Sequence, residues 1–179
     1  MNNDFVYHRV PKNLKDNILY PLNRLKDIYP EIYNEHVKKY DERKHLLDTE
    51  IPILNCLWND VLHFTAVSPH ILFDNLSKAG INPKEITSNQ WFQVPITLFD
   101  TENTIVCLYK RDISYIPDSR DFSLFDPNRM EEYRQVPLET INYYKDKHNK
   151  GERPLLFHKV PHILYKGSID LNRVTQIVL

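Results

Sequence analysis

The chain has 179 residues, 41% of them hydrophobic and 26% charged, a soluble globular composition that favours one domain with a core and gives no sign of disorder. A formal net charge of -1 gives no global attraction to nucleic acid or membrane, and 3 glycines leave no glycine-rich phosphate loop of either common kind. With 12 prolines and 11 tyrosines, rigid irregular connections and large half-polar contact surfaces are expected.

Asp4 to Val10 alternates as a first strand, with Phe5, Tyr7 and Arg9 on one side and Val6, His8 and Val10 on the other. Pro11 ends it because proline cannot donate to a ladder. Leu14, Ile18, Leu22, Leu25 and Ile28 follow at helical spacing, but Pro21 divides them into two short pieces. A helix is predicted over Pro30–Leu47. Proline opens it, Glu31 and Glu35 lie near its positive end, and Lys38, Lys39, Arg43 and Lys44 lie toward the other. Tyr33, Val37, Tyr40 and Leu47 form its apolar face.

Pro52 to Leu76 carries the clearest order in the chain. After a polar-aromatic turn at Trp58-Asn59-Asp60, Val61 to Val67 reads as a mostly buried strand. Ser68-Pro69 then starts a helix, Ser at the N-cap and Pro at the first helical position, and Gly80 closes it. A polar loop spans 82–89. Trp91–Phe99 and Thr104–Tyr109 are expected to form a hairpin turned by Asp100 to Asn103.

Residues 114–134 read as a packed irregular segment anchored by Tyr115, Phe122 and Phe125. A short helix over 137–148 is expected to turn Tyr143 inward and Tyr144 outward. Leu155–Phe157, Ile163–Tyr165 and Val174–Leu179 supply the closing strands. Between Lys145 and Arg173, seven Lys/Arg face three Asp/Glu, a modest local basic excess. The sum is an α+β fold with antiparallel or mixed strands in a single domain over 1–179.

Cys56 and Cys107 stand alone in apolar surroundings, so both are expected as reduced core residues of a cytoplasmic protein. No run has the length of a membrane span or a signal peptide. No metal site is expected: His158 and His162 have the spacing of a metalloprotease pair, but Pro161 between them disfavours a shared helix face.

A sparse ordered constellation remains: Tyr7-His8-Arg9 on the first strand, Asn13-Leu14 after it, and Arg43 ahead of Val61-Leu62-His63-Phe64-Thr65-Ala66-Val67-Ser68-Pro69. Glu152, Leu155-Leu156-Phe157, Val160-Pro161 and Ile177-Val178 complete it toward the end. In this order the residues resemble ADP-ribosyltransferases, and within them the DarT-type DNA ADP-ribosyltransferases. The chain departs from that pattern at Val10, where the family has threonine, and at Ala66-Val67, where it carries an arginine.

The resemblance implies a split sheet with short flanking helices, NAD as cofactor, and a nucleic acid or protein acceptor, with a toxin's antitoxin or another protein as partner. It implies that His8, Arg9, Arg43 and His63 bind NAD and that Glu152 is catalytic, with Glu139 and Asp170 as the other carboxylates if the C-terminal register shifts. The chemistry is coherent. Breaking the nicotinamide–ribose bond passes through an oxocarbenium-like state that a carboxylate stabilises, while arginine holds the pyrophosphate by charge-assisted forks. A second expectation, from the tyrosine-rich composition, is a non-enzymatic binding or assembly module.

Overall fold

The computed structural model describes residues 4–109 and 119–179. Two antiparallel sheets dominate. One has strand order β1-β6-β11, from β1 (Phe5–Arg9), β6 (Gln90–Pro95) and β11 (Thr175–Val178). The other has order β5-β9-β7-β8, from β5 (Leu62–Phe64), β9 (His162–Tyr165), β7 (Thr104–Cys107) and β8 (Phe122–Leu124). They meet edge to edge where Tyr7 and Thr65 exchange backbone hydrogen bonds of 2.7 and 3.1 Å. Two short pairs lie outside: β2 (Ile18–Leu19) with β10 (Ile169–Asp170), and β3 (Glu50–Ile51) with β4 (Cys56–Leu57).

Strand alternation feeds opposite faces of this joined sheet. Val6, Phe92, Val106 and Ile163 point into a first core, closed by Met130 and Tyr133 of α5 (Met130–Tyr133). Their neighbours Ile105, Cys107 and Leu164 point the other way, into a second core with Leu46, Ile51 and Trp58. Trp91 points into a third, with Leu72 and Leu76 of α3 (Pro69–Lys78) and Tyr144 of α6 (Leu138–Asn149). Each wholly buried leucine of α3 contributes about 1.5–3 kcal/mol.

The strand-to-helix junction forms as its residues dictate, with Pro69 at the first helical position and Gly80 in the left-handed region at φ 85° just past the end. Ser68 takes the cap position without a side-chain hydrogen bond. The two pieces around Pro21 are β2 and α1 (Leu22–Ile28). In the 137–148 helix the two tyrosines reverse the expectation: Tyr144 faces inward, its hydroxyl donating to the Leu156 carbonyl, while Tyr143 is only half-buried.

Three expectations are corrected. The predicted hairpin does not form: β6 pairs with β1 and β11, β7 pairs with β8 and β9, and tight turns at Ile96–Leu98 and Thr101–Asn103 carry the chain from one sheet to the other. The helix over 30–47 stops early. Only α2 (Pro30–His36) is α-helical, and 3-10 turns at Val37–Tyr40 and Lys44–Leu47 flank a non-helical Arg43 at φ -139°, ψ 43°. Leu155–Phe157 is a turn rather than a strand, and its Leu156 packs into the third core.

The irregular segment resolves into β8, α5 and two 3-10 turns, with Phe122 and Phe125 buried as anchors; Tyr115 lies outside the described residues. Cys107 is buried and Cys56 half-buried, both as free thiols. Among the described residues no helix is long and apolar enough to cross a membrane. The architecture is α+β.

Candidate functional site

The Tyr7–Thr65 bridge joins the sheets over a single residue pair, and past it the two strands go to different partners. His8 and Arg9 follow the bridge on β1; His63 precedes it on β5. Opposite Leu164 in the ladder, His63 takes the face of the second core, and His162, two residues before Leu164, takes the same face. The two imidazoles stand 6.2 Å apart, edge to face, at 86°.

Aromatic rings from both neighbouring cores surround them. Trp58 lies 4.6 Å from His63 and 6.2 Å from His162. Tyr109 and Phe157 lie 5.5 and 5.8 Å from His162, and the Arg9 guanidinium covers Phe157 at 5.7 Å. His8 sits at the edge of the group, 5.4 Å from Phe64.

All three histidines are anchored alike. His8 Nδ1 donates to the Arg9 carbonyl at 2.6 Å, His63 Nε2 to the Trp58 carbonyl at 2.8 Å, and His162 Nδ1 to the Val160 carbonyl at 2.8 Å. A carbonyl can only accept, so the bonded nitrogen carries the proton in each ring. The lone pairs are then on His8 Nε2, His63 Nδ1 and His162 Nε2. Burial pushes the His8 and His162 imidazoles down to about 4, against the opposing pull of their carbonyl bonds. Burial also holds His63 well below its ordinary value, and the nearby His162, Lys39 and His8 push the same way. All three are neutral bases at pH 7.

Cations crowd the same place. Lys39 is lowered to about 8, first by burial and then by Arg9 and Arg43. Arg9 is lowered by burial and by Arg153. Lys39 and Arg9 keep solvent-exposed surface, yet protein surrounds them closely enough to strip much of their hydration. Each is thus a surface cation that neighbouring protein partly desolvates, where charge is costly and an anion is welcome.

The structure therefore brings His8, Arg9, Arg43 and His63 into one electrostatic neighbourhood, with Lys39 at its hub. Arg43 also donates to the Lys39 carbonyl at 3.2 Å and lies 5.9 Å from the Tyr40 ring. Sequence reasoning missed Lys39, His162 and Trp58 as site residues. The one available signal was Lys39 and Arg43 at helical spacing, read there as complementing a helix dipole.

Glu152 is placed otherwise. It is exposed on the turn after α6, ion-paired with Lys147, and that bond holds its carboxyl below the usual range. The other charges acting on it, Lys150 and Asp146, also belong to the end of α6. Of the alternative carboxylates, Asp170 accepts from the Asn172 N–H to cap a tight turn, and Glu139 is exposed in the first turn of α6.

His158 stacks on Tyr143 at 3.8 Å rather than meeting His162. Among the described residues no group of three or more His, Cys, Asp or Glu is placed to hold a metal ion. A separate surface concavity of ≈ 350 Å³, lined by Pro21, Asn23, Asp27, Asp60 and Lys166, contains none of the histidines. Its Asn23 amide donates to Asp60 at 2.8 Å. Compared with known protein families, curated proteins and solved structures, the chain matches none.

Proposed function

We propose that this group of histidines and cations binds the ribose and pyrophosphate of NAD, and that the chain is an ADP-ribosyltransferase-like domain acting on a nucleic acid or protein acceptor. The observation that carries this reading is the convergence of Arg9 and Lys39 on His8 where the two sheets part, with Arg43 acting in turn on Lys39. Arginine forks suit the two phosphates, whose negative charge would offset the cations' lost hydration. His8 and His63 can accept from ribose hydroxyls through their lone-pair nitrogens, and Tyr109 and Phe157 offer half-buried ring surface to a base. Two sheets joined by one bridge suit the split sheet of that fold. A cytoplasmic toxin with a protein antitoxin is the setting this reading carries with it.

One observation favours a second reading, a binding module that holds a nucleotide or protein without transfer: Glu152 is engaged by Lys147 at the end of α6. Calorimetric titration of NAD into the wild type and Arg43→Ala tests the first step. Binding that weakens at least tenfold in the variant supports the NAD site, and no binding by a folded wild type removes it. Release of nicotinamide, abolished in Glu152→Ala, would identify a transferase. Binding without release would identify a module.

A further inference from the structure

The three-stranded sheet ends at β11, and among the described residues β11 pairs with β6 alone. The ladder fixes which of its backbone groups are used. The Gln90 carbonyl accepts from the Val10 N–H at 3.1 Å, so Gln90 and Phe92 turn their backbone groups to β1 while Trp91 and Gln93 turn theirs to β11. The Leu179 N–H donates to the Asn89 carbonyl at 2.9 Å in the same phase. Thr175, Ile177 and Leu179 therefore face β6, and the N–H and C=O of Gln176 and Val178 point outward. No hydrogen bond among the described residues takes up those outward groups. Edges are ordinarily blunted by charge, proline or a bulge, and Thr175-Gln176-Ile177-Val178 has none of these. The edge is open as well: Val178 is 64% exposed, and Thr175 and Gln176 are exposed beside it.

We propose that β11 is a dimerisation edge whose partner is β11 of a second copy of this chain, paired antiparallel about a two-fold axis at Ile177. The outward groups set the register. Gln176 of each copy meets Val178 of the other, and each such pair exchanges both of its N–H···O bonds. Ile177 then faces Ile177 of the second copy as the closely spaced, non-bonded pair, and Thr175 faces Leu179. A register centred on Gln176 would instead set Val178 against Val174, whose N–H is already given to the Leu171 carbonyl at 3.1 Å. Only the register centred on Ile177 uses every outward group of Gln176 and Val178 on both strands.

The occupant follows from order and charge. A second copy brings a strand already held extended by β6, whereas a free peptide would lose its backbone freedom on binding. Two copies of this strand meet no like charges, because it carries none. Pairing covers Val178, and it covers Ile177 and Leu179, which lie half-buried at the rim of the third core. One four-residue strand from each copy makes an interface below the ~1,200 Å² of stable complexes, so the association is weak and reversible. No residue of the proposed NAD site takes part, so the two readings succeed or fail separately.

The test is sedimentation of the whole chain over a range of concentrations. Dimer mass is expected at about 500 µM and monomer mass at about 5 µM. Gln176→Lys and Val178→Glu each set like charges diagonally across the axis, and each should lower association about tenfold or more. An equimolar mixture of the two should associate again, because the new lysine of one copy then lies opposite the new glutamate of the other. Both positions are exposed, and circular dichroism checks that the variants fold. Without any variant, amide exchange at Gln176 and Val178 should slow as the wild-type concentration rises, while Ile177 stays protected throughout. Monomer mass at the higher concentration overturns the proposal, as do a dimer that both variants leave intact, a mixture that stays monomeric, or exchange at Gln176 and Val178 that ignores concentration. NAD bound by a chain that stays monomeric would leave the NAD reading standing and this one refuted.

Discussion

The hydroxyl of Thr65 accepts the backbone N–H of Val67 at 3.1 Å, inside the corner where β5 turns into α3. Thr65 also carries both backbone hydrogen bonds to Tyr7 that join the two sheets. One residue thus fixes the sheet junction by its backbone and the entry to the helix by its side chain. His63, two residues earlier, inherits its position from this corner.

Thr65→Val keeps the shape and β-branching but removes the acceptor, leaving the Val67 N–H unsatisfied where Val67 is fully buried. A destabilisation of about 1–3 kcal/mol is expected, read as a lower urea midpoint at unchanged slope. A midpoint equal to the wild type would mean that the Val67 N–H finds another partner.

Gly80 sits at φ 85°, and a Cβ placed on it would lie 2.7 Å from His148 Nε2. His148 is exposed and can swing aside, so the backbone conformation carries most of the cost. Gly80→Ala should destabilise by about 1–3 kcal/mol, and the same change in a His148→Ala background should cost only slightly less. Full recovery in the double variant would assign the cost to the contact instead.

These two corners were legible because their signals are local. Pro69, Gly80 and the apolar run between them need no distant partner to declare a helix. The hairpin was misread for the opposite reason: β6 and β7 are adjacent in sequence and have strand composition, but pairing is decided by what each strand buries. Trp91 and Phe92 serve the third and first cores, and Ile105 and Val106 the second and first, so each strand pairs within its own sheet. Leu155–Phe157 shows the limit of an apolar triplet, which a turn over a core satisfies as well as a strand does. In the site, the histidines and arginines stood out by type, whereas Lys39 looked like ordinary helix surface, although it lies in the 3-10 turn past the helix and acts electrostatically on His8 and His63. Such convergence is tertiary and leaves no spacing to read.

His8 and His162 are neutral in the folded protein down to about pH 4, while in the unfolded chain they charge near 6.5. Below 6.5 the unfolded state therefore binds protons that the folded state refuses, and stability falls as the pH drops from 6.5 to about 4. The buried His162 alone can contribute about 3 kcal/mol to that loss. Urea unfolding at pH 7 and pH 4.5 should show the drop, and His162→Phe should flatten it even if its stability at pH 7 is lower. An equal slope in the variant would place the acid sensitivity elsewhere.

Under the NAD reading, Lys39 should make anion binding depend on pH in the other direction. Free, its ammonium is held only to about 8, because burial and the charges of Arg9 and Arg43 oppose it. A bound phosphate supplies the missing negative charge and holds the proton on, so binding at pH 8 takes up protons and affinity falls as the pH rises further. His8 and His63, already neutral there, add no titration of their own. Titration with inorganic sulfate, which does not itself titrate between pH 7 and 9.5, in buffers of different ionisation enthalpy should reveal this uptake. Lys39→Arg should bind with no such pH dependence, while Lys39→Met should bind more weakly yet resist urea better than the wild type at pH 7, since the poorly hydrated charge is gone. Wild-type affinity that stays constant from pH 7 to 9.5 would take Lys39 out of the anion site.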